Sequence, residues 1–223
     1  MPEGVKWVIC PGCKHRFEIV SNEPDIEQDE RPPWERRIDL SLFHGIYKTF
    51  IAVLFSPGRF FRKMNSGKGI GEALAFGLLS GSLGYMIGLF WVYLLISMGI
   101  TSSGGFFSRI PITWFFLAVM ILSSLIVLVK MHITSAVIHG FMRVFNDGRG
   151  GFERTFKVIA FGQSTRALAF IPLLGGIAGW FWNLVVVIIG LKEIHKTSYS
   201  KVISAVIIIL ILEAVLILPV FFC

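Results

Sequence analysis

Charge is what this chain has least of. Of its 223 residues, 16% are Asp, Glu, Lys or Arg, against about 25% in ordinary soluble domains. Beyond residue 69 only five acidic side chains occur: Glu72, Asp147, Glu153, Glu193 and Glu213. Residues 70–100 hold Glu72 as their sole charge, and residues 202–223 hold only Glu213. A bilayer core of about 30 Å takes roughly 20 helical residues to cross, so either run is long enough. The mean hydropathy of +0.72 agrees, and a soluble globular protein is excluded. Other absences narrow the chemistry. The opening MPEGVKWVIC has no long apolar h-region, so no secretory signal is expected. The chain lacks a Gly-x-Ser-x-Gly or Ser-Lys nucleophile, a metal-ligand pair on adjacent helical turns and a phosphate loop after a strand, so no enzymatic activity is expected.

The charges present are placed at the ends of apolar runs. Residues 1–69 carry eleven Lys/Arg and nine Asp/Glu, and the remaining 154 residues share ten basic and five acidic groups. The formal net charge of +7 is thus a membrane-surface and topology signal. Nucleic acid is not an expected partner, because that would need the basic groups gathered on one solvent-facing patch.

Four regions follow along the chain. Residues 1–20 read as a small head, with short β-prone stretches around Cys10-Pro-Gly-Cys13. Residues 21–39 read as an acidic, Pro-containing linker. Residues 40–64 read as two amphipathic helices. Leu42, Phe43, Ile46, Tyr47, Phe50, Ile51, Leu54 and Phe55 recur in steps that keep them on one face. Ser56-Pro57 ends that helix and can cap a second one, with Phe60 and Phe61 opposite Arg59, Arg62 and Lys63. Aromatics facing a basic side suit a helix lying at anionic headgroups; the same face also suits packing on the protein's own bundle. Residues 65–223 supply five apolar segments. They run 70–100, from 112 through Lys130, His132 and His139 to 145, 156–173, 175–191 and 202–222.

The expected fold is therefore all-α, a polytopic membrane bundle of five transmembrane segments preceded by interfacial helices and a CxxC head. Alternate connections carry eighteen basic residues, the opposite set only Arg109. The positive-inside rule then puts the N-terminus in the cytoplasm and the C-terminus on the far, periplasmic side of an inner membrane. Segments 156–173 and 175–191 are short, with Arg166 mid-way in the first, so a re-entrant hairpin fits them as well as two crossings.

Two sets of residues can carry chemistry. Cys10 and Cys13, with His15 as a third candidate ligand, have the spacing of a zinc knuckle. The second C-x2-C is missing, so a remnant without metal, zinc shared between chains and a redox dithiol all stand as readings. No other cofactor is expected. Within the apolar segments the polar side chains are Lys130, His132, Thr134, Ser135, His139, Gln163, Ser164, Arg166, Asn183 and Glu213. One reading makes them a solute or proton path. The other places Lys130, His132 and His139 at or beyond the cytoplasmic surface and pairs Arg166 with Glu213 as a structural ion pair. The Gly-rich 146–151 turn exposes Asp147 and Arg149, either as a plain turn or as a docking loop for a cytosolic partner.

Several motifs resemble the Yip1 domain family. They are Val53-Leu-Phe-Ser-Pro57-Gly-Arg-Phe-Phe61, the stretch HGFMRVFNDGRGGFERTFKV from His139 to Val158, Pro172-Leu-Leu-Gly-Gly, Trp182 and Ile189-Gly-Leu-Lys-Glu-Ile-His195. They cover about residues 40–220. The head resembles the start of a bacterial zinc-ribbon motif. The resemblance implies a five-span helical protein with a cytosolic N-terminus. Eukaryotic members are linked to vesicle traffic and Rab-type GTPases, and bacterial members have no settled biochemical role. The expected function is a non-enzymatic multi-pass membrane protein that organises membrane or recruits partners; the alternative is a small-solute or ion transporter. The expected partners are the lipid bilayer and a cytosolic protein or a second copy of the chain.

Overall fold

The computed structural model describes residues 5–9, 12, 16–20, 32–36, 41–64, 69–98, 112–145 and 151–222. Strands β1 (Val5–Ile9) and β2 (Arg16–Val20) pair antiparallel, with Val5 opposite Val20 and Ile9 opposite Arg16. All other regular elements are helical: α1 (Leu42–Phe55), α2 (Pro57–Lys63), α3 (Gly71–Ser97), α4 (Ile112–Val144), α5 (Gly151–Gly162), a 3-10 segment (Gln163–Phe170), α6 (Gly175–His195) and α7 (Tyr199–Phe222). Among the described residues, three helices are long and apolar enough to cross a membrane: 71–97, 113–144 and 175–195.

The glycines of α3 set the order of packing. A Cβ on Gly77 would lie 2.7 Å from Met131 Cε and 3.1 Å from the Ala160 backbone. At Gly81 the same test meets Val127 at 2.8 Å and Gln163 at 3.3 Å, and at Gly84 it collides with Arg166. As the number rises along α3 it falls along α4 and rises along α5 and the 3-10 segment. So α3 is antiparallel to α4 and parallel to the 151–170 stretch. Farther along, Trp91 Nε1 donates to the Ala169 carbonyl at 3.1 Å. Residues 160–169 thus follow α3 from Gly77 to Trp91, about 21 Å at 1.5 Å per residue. With no hydrophobic drive between helices in lipid, close backbone approach is what holds such a seam together.

The segment expected as one helix from Phe156 instead changes form at Gly162. Ser164 Oγ donates to Phe161 O (2.7 Å), Thr165 Oγ1 to Gly162 O (3.0 Å), and Asn183 Nδ2 to the same Gly162 carbonyl (2.8 Å). Side chains that bond back to the i−3 carbonyl favour the tighter winding. Helix α6 then returns antiparallel: Gly179 faces Thr165, Asn183 and Val187 face Gly162, Gly190 faces Val158, and His195 meets Thr155. Lys196, at φ 51°, closes α6 with a left-handed cap whose N–H reaches Lys192 O.

The α1–α2 unit is built into this body. Its inner side, Thr49, Val53, Phe60 and Phe61, is buried. Phe60 stacks edge-on to Phe61 and Phe161, and Phe76 touches both Phe161 and Phe50. Leu54 O accepts from Trp182 Nε1 (3.0 Å), Gly58 faces Ile189, Phe61 lies against Gly190, and Arg62 Nε meets Glu193 Oε2 at 3.1 Å. From Leu54 to Arg62 the chain therefore climbs α6 from Trp182 towards its C-terminal end. The Ser56-Pro57 turn is the low point of a helix–turn–helix hairpin, about 13 residues or 20 Å below His195. Of the two readings for the Phe60–Phe61 face, the structure realises packing on the bundle. The outer face of α1 leaves Phe43 82%, Tyr47 65% and Phe55 74% exposed, beside the exposed His44 and Lys48.

Trp34 closes the top of this unit. Sequence reading put it in the linker, yet it is buried. Its backbone N–H donates to Thr49 Oγ1 (2.9 Å), its indole N–H to Glu72 O (2.9 Å), and its ring packs edge-on to Phe76.

Candidate functional site: a polar chamber between the helices

Behind the α3–α5 seam the helices part around a chamber of about 70 Å³. Its polar lining is Tyr85, Lys130, Thr134, Gln163, Arg166, Asn183 and Glu213, from five elements. Lys130 Nζ lies 3.1 Å from Glu213 Oε1. The expected Arg166–Glu213 pair is thus corrected: the carboxylate is taken by Lys130. Lys130 stands 14 residues before the end of α4, and Glu213 the same number after the start of α7. The end of α4 and the start of α7 lie at the same end of the bundle, so these two side chains come to one level. Lys130 takes the nearest carboxylate on a facing helix, and both side chains of the pair stay partly exposed (39% and 29%).

Arg166 sits between this chamber and a second cavity. Its guanidinium lies over the Tyr85 ring, 4.9 Å from the centroid, and it forms no ion pair among the described residues. Beyond it opens a cleft of about 240 Å³ lined by Gly84, Tyr85, Gly88, Leu89, Val92, Thr165, Arg166, Ala169, Gly175, Gly176 and Gly179. Asn183 Nδ2 is committed to Gly162 O and to Thr165 Oγ1 (3.1 Å), and Gln163 Nε2 to Ile159 O (3.3 Å). Both amides brace the helix-to-3-10 junction and thereby hold Arg166 where it is.

The histidines lie elsewhere. His132 Nδ1 is 2.9 Å from Leu128 O and its ring rests on Phe156. His139 joins a cluster at the other end of α5: Thr155 Oγ1 is 3.4 Å from His139 Nδ1 and 2.9 Å from His195 Nε2. His195 and Thr155 escaped sequence reading because their partners are 16 and 40 residues away and no spacing signals them. Near them, Glu193 is shared by Arg62 and Lys192 (3.1 and 2.7 Å). Arg59 reaches Ser56 Oγ at 3.0 Å, and Lys63 is exposed. Cys10, Cys13 and His15 of the knuckle, Asp147 and Arg149 of the 146–150 loop, and Cys223 lie outside the described residues. Among the described residues no cluster of three His, Cys, Asp or Glu could hold a metal.

Long apolar helices sealed by glycine and aromatic contacts around an ionised chamber define a helical membrane protein. The family comparison makes this particular. The Yip1 domain model matches residues 51–221, and the chain belongs to the Yip1 domain family. No curated protein matches it, and no solved structure does.

Proposed function

We propose that the chain is a non-enzymatic, five-span protein of an inner (cytoplasmic) membrane that organises lipid from one leaflet, with its N-terminus cytoplasmic and its C-terminus periplasmic. Three features support the topology. The basic residues are biased eighteen to one. Residues 160–169 keep pace with α3 for about 21 Å, which favours a crossing over a shallow loop. Trp91, Tyr93, Trp114 and Trp180 belong to the ends of α3, α4 and α6 away from His195, where an aromatic belt belongs.

One observation carries the function: the α1–α2 hairpin, locked to the bundle inside and apolar outside. It reaches about two thirds of the way along α6 from the His195 end, so it adds most of its volume on the cytoplasmic side. Phe43, Tyr47, Ile51 and Phe55 face acyl chains, while Lys63, at the upper end of α2, reaches anionic headgroups. The 143–157 connection and the 1–20 head are the segments offered to a cytosolic partner or a second copy. Reconstitution at high protein density should convert large spherical liposomes to narrower or tubular ones. The double variant Phe43→Glu/Phe55→Glu should fold but leave them round. Spherical vesicles with the unaltered protein would count against the reading. A second reading, passage of an ion or small solute, is favoured by the chamber alone.

A further inference from the structure

The Lys130–Glu213 chamber holds more positive than negative charge. Lys130 and Glu213 neutralise one another at 3.1 Å, and Arg166 has only the face of Tyr85. A lone cation at this depth is costly unless an anion or water meets it. The chamber's 70 Å³ exceeds the roughly 10–15 Å³ that one water needs. It therefore admits a small ion with a water or two. Asn183 and Gln163 direct amide N–H groups at backbone and at Thr165, and the other donors on its walls are Arg166, Lys130, the Thr134 and Tyr85 hydroxyls and the Trp180 indole N–H. Glu213 would repel a second negative charge on the occupant.

We propose that the chamber binds one small inorganic monoanion of halide size, held by Arg166 and Lys130 and reached through the glycine-lined cleft. Arg166 and Tyr85 line both spaces and so stand at the junction. The cleft's glycines divide in two. Gly84, Gly175 and Gly179 are needed for packing: a Cβ would collide with Arg166 at the first and with Leu168 O at the second, and would lie 2.8 Å from Thr165 O at the third. At Gly88 and Gly176 a Cβ would meet nothing within 4 Å. There the missing side chain keeps a passage open and serves no contact. The inference rests on the chamber, as the ion-passage reading does, and is independent of the membrane-organising one.

The test uses full-length protein in detergent, titrated with chloride, bromide, sulfate or gluconate at matched ionic strength, reading the thermal unfolding midpoint. Chloride and bromide should raise it saturably, as a ligand bound only by the folded state must; sulfate and gluconate should not. Arg166→Gln should weaken the halide effect at least about tenfold. Gly88→Leu, which fills the cleft without touching Arg166, should slow halide exchange and serves where Arg166→Gln does not fold. Absence of a saturable halide effect, or an undiminished one in Arg166→Gln, would overturn the proposal. So would an Arg166-dependent phospholipid retained in the purified protein without halide sensitivity. Halide flux into liposomes is read separately. Binding without flux supports the site and removes the passage reading, whereas flux without saturable binding overturns the site.

Discussion

The two flanks of the α3–α5 seam solve the same packing problem in opposite ways. On one flank Trp34, Phe50, Phe60, Phe61, Phe76 and Phe161 interlock with few polar atoms, each of which has a backbone or hydroxyl partner. On the other flank Lys130, Glu213 and Arg166 surround open space, and glycines line a cleft that no side chain fills. Dry aromatic packing fixes one geometry, because every neighbour constrains every other. The open flank tolerates change at some positions and none at others. That difference marks where the molecule is scaffold and where it has room for a ligand.

The sharpest break in the comparison lies between two glycines one helical turn apart. Gly84→Leu should abolish folded protein, since its Cβ would strike the Arg166 backbone, whereas Gly88→Leu should be recovered at close to the normal yield. Monodispersity after detergent extraction checks both. Next in size is the ion pair. Lys130→Met or Glu213→Gln alone strands a partner, and the double variant strands neither. A double-mutant cycle read by denaturant unfolding should therefore give a coupling of about 1–3 kcal/mol. Additive effects would mean that the two charges do not meet. The smallest effect belongs to the dry flank's rim. Trp34→Phe keeps the ring contact with Phe76 but loses the indole bond to Glu72 O, and should cost about 1 kcal/mol in the same measurement.

Local pattern made much of this legible. Apolar runs located the long helices, and Ser56-Pro57 broke α1 from α2. What escaped depended on tertiary register. Which carboxylate Lys130 meets is decided by how α4 and α7 lie against one another. The 3-10 stretch at Gln163–Phe170 arises from hydroxyls that compete for the helix's own carbonyls, and hydropathy does not register that competition. Trp34 looked like part of a polar linker because its partners, Thr49 and Glu72, lie 15 and 38 residues away.

The claim that matters most is that α1–α2 is a membrane-embedded part of the body and does not lie flat at the headgroups. Spin labels at single cysteines replacing Phe43, Tyr47, Ile51 and Phe55, in a background with Cys10, Cys13 and Cys223 changed to Ser, would report depth in liposomes through the ratio of oxygen to nickel-chelate collisions. The account predicts depth increasing along the helix, with position 55 the deepest and well inside the hydrocarbon. Equal shallow depths at all four positions would contradict it.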